Sequence, residues 1–324
     1  MSQFQLVMVG GGGIARVHIG AAKAIGTGVV AVVDPNESAR HATADAAGAK
    51  GFSSFEEFLA SPEARNVNGV IVCTPPSARV CIVEAALERG LHVLAEKPIA
   101  HTLTDAKAQA ALATKRPNVA TALGYCHRFT PAVVEMKRRI AAGEIGDVSR
   151  FENTFAAPLP RLKDHWMSDP AVSGGGSFID TGCHGLDLFL HLVGRGAVLS
   201  AVFAHAWPGR GESSATALLR SERGGVAGVV QSGWAEPARF VLTVVGTNGS
   251  LSYDYDHPTE LRFRSNDGPV NTLAVEHHEL RFARQLEAFI DLAAGKSPSI
   301  PPASFAEGVV VAQQVDDAQR LART

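Results

Sequence analysis

Asp180 and His184 stand four residues apart in a stretch of helical spacing, and Asp187 and His191 continue the same stripe, so a helix from about Ser177 to Val193 would carry four ionisable groups on one side. Leu186, Phe189, Leu190 and Val193 can cover the opposite side. Carboxylate and imidazole are the groups that exchange protons near neutral pH. Such a stripe suits the wall of a polar site, and it equally suits an ordinary solvated face. A second chemical candidate is Lys97 in Glu96-Lys97-Pro98, where proline fixes the turn and removes a backbone donor. It follows a predicted strand, as does Cys73-Thr74-Pro75-Pro76-Ser77, and ligands of open α/β sheets bind at the carboxyl ends of strands. Gly124-Tyr-Cys-His-Arg-Phe129 also follows a strand, at the junction between two expected domains. Cys126-His127 and Cys183-His184 place sulfur beside imidazole, but chain neighbours on a helix or strand point apart, which disfavours a Cys/His nucleophile.

A third pattern binds rather than reacts. Gly10-Gly-Gly-Gly-Ile-Ala15 fits G-x-G-x-x-A directly after the first strand. Gly10 permits the tight turn, Gly12 lets backbone amides approach a pyrophosphate, and Ala15 lets the helix pack closely. Asp34 ends the second strand nineteen residues beyond Ala15, where a carboxylate can accept both hydroxyls of an adenosine ribose. Capping of the next helix would explain Asp34, but not four successive glycines. Together these features predict dinucleotide binding. A carboxylate repels a 2′-phosphate, so NAD is favoured, while Arg40, six residues on, keeps NADP open. The expected cofactor-binding set is Gly10, Gly12, Gly13, Ile14, Asp34, Thr74, Pro75, Glu96 and Lys97.

The elements that must position these groups are legible as hydrophobic runs. Residues 5–9, 29–33, 70–73, 92–95 and 119–123 are short β-rich runs separated by helical stretches at 14–25, 37–47, 78–88 and 103–113, the pattern of a doubly wound parallel sheet. After Leu123 come a helix at 131–142, strands at 198–205, 215–220, 226–231 and 240–245 without intervening helices, and two closing helices at 279–294 and 304–322. The expected fold class is therefore α/β, with a dinucleotide-binding domain at 1–123 and an α/β domain at 124–324 built on a large, open, mainly antiparallel sheet. The closing helices are candidates to pack back on the first domain.

A chain of 324 residues accommodates two domains at roughly 150 residues each. With 46% hydrophobic and 19% charged residues it is apolar enough to fold throughout. The net charge of −2 and the lack of a basic run argue against nucleic acid or an anionic membrane as partner. No apolar run reaches the ~18 residues of a span and no leader is evident, so a cytoplasmic location is expected. The four cysteines form no C-x-x-C pair, which predicts reduced, mostly buried thiols and no metal site.

Thr74-Pro-Pro, Glu96-Lys-Pro, Gly124-Tyr-x-x-Arg-Phe, Ala142-Gly-Glu-Ile-Gly146 and Gly174-Gly-Gly-x-x-x-Asp-x-Gly-x-His184 follow the glycine loop in that order. In this the chain resembles the Gfo/Idh/MocA family, the glucose-fructose oxidoreductase and inositol dehydrogenase group. The resemblance implies NAD(P)-dependent hydride transfer at a hydroxyl or carbonyl carbon of a sugar, polyol or related compound. It implies Lys97, Asp180 and His184 as the catalytic set and a homodimer or homotetramer. His184 would then exchange the proton, Lys97 would stabilise the reacting oxygen, and Asp180 would orient Lys97 or a neighbouring hydroxyl. Tyr125, Arg128, His165 and Trp166 are weaker candidates for the substrate wall, Trp166 offering a flat apolar face. Relatives often carry histidine where this chain has Arg79, whose guanidinium cannot shuttle protons, so Arg79 is expected to balance charge instead. His18 reads as structural. Two other readings use the same features: a dinucleotide- or sugar-sensing module without catalysis, and a Rossmann methyltransferase, which leaves Lys97 and the Asp180/His184 stripe unexplained.

Overall fold

Val7, Met8, Val32, Val70, Ile71 and Val93 are fully buried, as strands covered on both faces require. In the computed structural model, which describes residues 4–322, they lie in a six-stranded sheet. Its strands are β1 (Gln5–Val9), β2 (Gly28–Val33), β3 (Lys50–Phe52), β4 (Gly69–Val72), β5 (His92–Ala95) and β6 (Thr121–Leu123). Every pairing is parallel, in the order β3-β2-β1-β4-β5-β6 of a dinucleotide-binding sheet. The crossovers are α1 (Gly13–Ala24), α2 (Glu37–Ala47), α3 (Phe55–Ala60), α4 (Arg79–Glu88) and α5 (Leu103–Thr114). Asn36 caps α2 by accepting the Ala39 amide at 2.9 Å, and Gly48 ends it in the left-handed region.

The second sheet is expected from the longer strands after residue 148. It has eight strands in the order β14-β13-β12-β11-β7-β10-β9-β8. They are β7 (Val148–Ala156), β8 (Gly196–Ala204), β9 (Ser214–Ser221), β10 (Ala227–Gly233), β11 (Arg239–Gly246), β12 (Gly249–Asp254), β13 (Glu260–Ser265) and β14 (Val270–Ala274). All contacts are antiparallel except that between β7 and β10. β3, β7 and β12 to β14 are additions to the strands expected from sequence; β3 and β12 to β14 are short, β14 is largely exposed, and nine-residue β7 begins with three partly or fully exposed residues, so hydrophobic runs do not reveal them. The helices of this part are α6 (Pro131–Ala141), α7 (Pro170–Ser173), α8 (Cys183–Leu192), α9 (Arg281–Ala293) and α10 (Phe305–Leu321). The segment expected as one helix from Ser177 is a π-helical turn, Phe178–Gly182, continuing into α8.

Two compact units result, one of residues 4–100, 104–125 and 282–306, the other of 101–103, 126–281 and 307–322. In the first, Leu286 and Phe289 of α9 join Leu6, Met8, Ile19, Val32 and Leu94 in one core. In the second, α8 lies over β7 and β10, with Phe189 edge-on to Phe151. Among the described residues no helix is long and apolar enough to cross a membrane.

Candidate functional site

In the first unit the glycine loop leads from β1 into α1. Gly10 has φ +99°, and a Cβ there would meet the Cys73 backbone at 2.8 Å, so glycine is required on both counts. Gly12 and Gly13 are exposed and face open space, and no side chain caps α1. The helix therefore presents unscreened amides across a cradle without Cβ atoms, which fits a pyrophosphate. Asp34 braces the loop, its carboxylate accepting the Gly11 amide at 2.6 Å and the Asn36 amide at 2.8 Å. Arg40 donates to the Asp34 carbonyl at 2.8 Å, which brings a guanidinium to the end of β2. Ile14 is half-buried at the start of α1. These residues, with Thr74 and Pro75 after β4, would hold a dinucleotide.

After β5, Glu96 is buried and Lys97 half-buried. His18, fully buried on α1, shares a 2.7 Å hydrogen bond with Glu96. Burial by itself would raise the Glu96 carboxyl, but the hydrogen bond to His18 and the charges of His18, Lys97 and Arg79 outweigh it and hold it below its ordinary value of 4.5. Gly124 must be glycine to admit this carboxylate, since a Cβ would stand 2.8 Å from it. Arg79 is 2% exposed; it donates to the Thr74 carbonyl at 2.7 Å and also to the carbonyls of Glu96 and Pro98. Its guanidinium thus ties the loop after β4 to both residues flanking Lys97, a task for which several divergent donors are needed.

In the second unit Asp180 lies in the π turn and His184 in the first turn of α8. Both are half-buried. A π turn adds a residue to the helical cycle and occurs often at functional sites. Thr181 donates to Asp180 at 3.2 Å and receives the indole N–H of buried Trp234 at 3.3 Å. The ring of His184 stands edge-on to that of His127, with centroids 4.6 Å apart, and His127 shares a 2.7 Å hydrogen bond with Tyr255. Burial pushes the Tyr255 phenol above its usual range, so it stays protonated. The sequence reading gave His127 and Tyr255 no part in this group. Tyr255 follows β12, far along the chain, and no local spacing links it to His184.

The remaining candidates are dispersed. Asp187 and Arg128 form a buried ion pair at 2.6 Å, and Glu307 takes the other end of the guanidinium at 2.9 Å. His191 lies 3.1 Å from Lys137; burial, with Arg128 and Lys137 nearby, lowers its pKa to about 2, so it is neutral. The stripe thus turns from Asp180 and His184 into structural contacts farther along α8. Tyr125 is buried at the end of the first unit. His165 is exposed and Trp166 half-buried on a short helical turn of the second. None of the four cysteines forms a disulfide; Cys126 and Cys183 are buried, Cys73 is half-buried and Cys81 is exposed.

Comparison with known proteins agrees with this geometry. Residues 4–124 match the model of an oxidoreductase family with NAD-binding Rossmann fold, and residues 133–252 match the GFO/IDH/MocA C-terminal domain. The rhizopine catabolism protein MocA of Rhizobium meliloti is 32% identical over 318 residues, covering 94% of this chain and 92% of that one. Levoglucosan dehydrogenase of Pseudarthrobacter phenanthrenivorans is 26% identical over 305 residues, covering 78% of this chain and 77% of its own. Among solved structures, a levoglucosan dehydrogenase in complex with NADH superposes with a TM-score of 0.89 over 99% of this chain and 97% of that one, at 22% identity.

Proposed function

The chain belongs to the Gfo/Idh/MocA family of oxidoreductases with an NAD-binding Rossmann domain, and from that premise we propose that it oxidises or reduces a CH–OH carbon of a sugar, polyol or related compound. This reading is carried by a phosphate cradle at α1 and a lysine on a braced loop in the first unit and, within the second, by an aspartate and a histidine at a π turn. Relatives named for rhizopine catabolism, levoglucosan and scyllo-inositol support the substrate class.

Bound nicotinamide supplies hydride acceptance or donation. The chain supplies the rest. His184 takes the hydroxyl proton in oxidation and returns it in reduction, as an imidazole near its natural range can do. Lys97 hydrogen-bonds the reacting oxygen and stabilises its alkoxide character. Asp180 orients the proton-transfer group. His165 and Trp166 are assigned to the substrate wall. Arg128, committed to Asp187 and Glu307, is assigned a structural role, joining the turn before α6 to α8 and α10. NAD is the preferred cofactor because the Asp34 carboxylate at the end of β2 would accept the ribose hydroxyls and repel a 2′-phosphate.

A homo-oligomer in the cytoplasm completes the proposal. Leu199, Val202 and Leu218 are exposed on β8 and β9, and the register Ser200–Leu218 and Val202–Thr216 puts Val202 and Leu218 on one outward face. The deciding experiment mixes purified protein and NAD with inositols, aldoses and anhydrosugars and follows reduced nicotinamide. Reduction by at least one of them is expected. NAD binding without turnover on the whole panel, in either direction, would favour a sensing module.

A further inference from the structure

The Gly174-Gly-Gly176 run precedes the turn that holds Asp180, yet these glycines are packed against protein rather than open like Gly12 and Gly13. A Cβ on Gly176 would stand 2.1 Å from the Glu212 carbonyl oxygen, and one on Gly174, at φ +90°, would stand 2.1 Å from the carbonyl oxygen of His101. The close approach at Gly176 serves a set of hydrogen bonds. Glu212, 3% exposed, precedes β9 and receives three consecutive amides of the approaching chain. Its carboxylate accepts Gly176 N–H at 3.0 Å and Phe178 N–H at 2.8 Å, while its own carbonyl accepts Ser177 N–H at 2.8 Å. These are amides at the start of the π turn, which have no partner within the helix. On another side the run faces empty space: Gly174, Gly175 and Glu212, with Phe203, His205 and Gln319, line a cavity of about 140 Å³.

We infer that Glu212 is a positioning residue for the proposed reaction, fixing the start of the π turn and through it the placement of Asp180 and His184. The inference rests on the functional reading above. Without the carboxylate, two buried amides lose their acceptors and the turn has room to relax toward the cavity. Two requirements explain why the residue is glutamate. Both oxygens must accept, so glutamine, with one oxygen and one NH₂, sets a donor against a donor at either Gly176 or Phe178. The reach must span from the start of β9 to the turn, so aspartate falls short by one methylene.

The test compares wild type with Glu212→Gln and Glu212→Asp, each first shown to be folded by circular dichroism and a wild-type-like thermal melt, with NAD binding, whose cradle lies in the other unit, measured beside it. With a polyol that the wild type oxidises, kcat should fall about 10- to 100-fold while the KM for NAD stays within twofold, since sub-ångström misplacement of reacting groups has effects of that order. The Glu212→Gln loss should largely disappear in a His184→Asn background, because misplacing an absent imidazole has no further effect. Independently of any substrate, the imidazole resonance of His184, identified by its absence in His184→Asn, should shift in Glu212→Gln. Wild-type turnover with unaltered kcat and an unmoved resonance in both variants would overturn the inference and leave the functional reading intact, as would losses that simply multiply. A moved resonance in a protein that turns over no polyol would uphold the positioning role and overturn the functional reading.

Discussion

In the proposed reaction Lys97 and His184 would have different tasks at one oxygen, and this sets how their removal should combine. Lys97→Met keeps most of the side-chain volume but removes the cation, so turnover should fall about 10²-fold or more with NAD affinity unchanged. His184→Asn cannot accept the proton and should lose a comparable factor, with the general-base limb of the pH–rate profile for oxidation, its low-pH side, altered. The double variant should lose much less than the product of the two, measured as kcat on one substrate. Either single variant turning over normally would remove that residue from the mechanism. Glu96 makes a different prediction, about stability. Its carboxyl is held below 4.5 in the folded chain, so the stabilisation it contributes is present above that value and is lost as pH falls through the depressed one. Glu96→Gln should therefore melt at lower temperature than wild type at neutral pH, with the gap closing below about pH 4.5; thermal melts across that range check it. A gap that persists in acid would mean the carboxylate charge is not what stabilises the loop.

At the scale of elements, α8 begins as a site and ends as a strut. Asp187 is fully buried and its charge is met by Arg128, from the turn before α6, so the pair ties two helices together. Removing Asp187 leaves buried Arg128 with only the partly exposed Glu307 as counter-charge, and Asp187→Ala should lower stability by about 3 kcal/mol, the low end for breaking a buried pair, in urea or thermal unfolding. Asp187→Ala with wild-type stability would contradict that role. The βα unit from β1 to β2 carries cofactor choice. Asp34→Ser with Pro35→Arg removes the carboxylate and adds a second guanidinium near Arg40, and should shift preference from NAD toward NADP by roughly 1–3 kcal/mol of differential binding. Calorimetric titration with both cofactors measures the change, and an unaltered ratio would detach Asp34 from the ribose.

Across the whole molecule, the outward face of β8 and β9 is the feature that a single chain leaves unexplained. Apolar residues at 52% (Leu199), 70% (Val202) and 41% (Leu218) exposure on an edge strand and its neighbour predict association. Light scattering at micromolar concentration should give a dimer or tetramer, and Val202→Lys with Leu218→Lys should shift it toward monomer. A wild-type monomer would reject the assignment. The two-unit organisation adds a constraint on truncation. Because α9 completes the core of the first unit from the far end of the chain, residues 4–125 alone would expose Met8 and Ile19.

What the sequence determined by itself is what local pattern encodes. Strand, glycine turn and helix at residues 5–24 are readable because a parallel strand is apolar throughout and a phosphate loop tolerates no Cβ. The interval between Asp180 and His184 and the Glu96-Lys97-Pro98 turn are local in the same sense. Tertiary structure alone decided which distant groups meet them. Arg79 reaches across to the loop of Lys97, Tyr255 hydrogen-bonds His127, whose ring meets that of His184, and Glu212 holds the end of the glycine run at Gly176. The sequence shows those glycines but not their partner, since what requires glycine there is the approach of backbone at His101 and Glu212 from elsewhere in the chain. The π turn belongs to the same class. A helical period of 3.6 residues cannot reveal an extra residue whose cause is a set of contacts outside the helix.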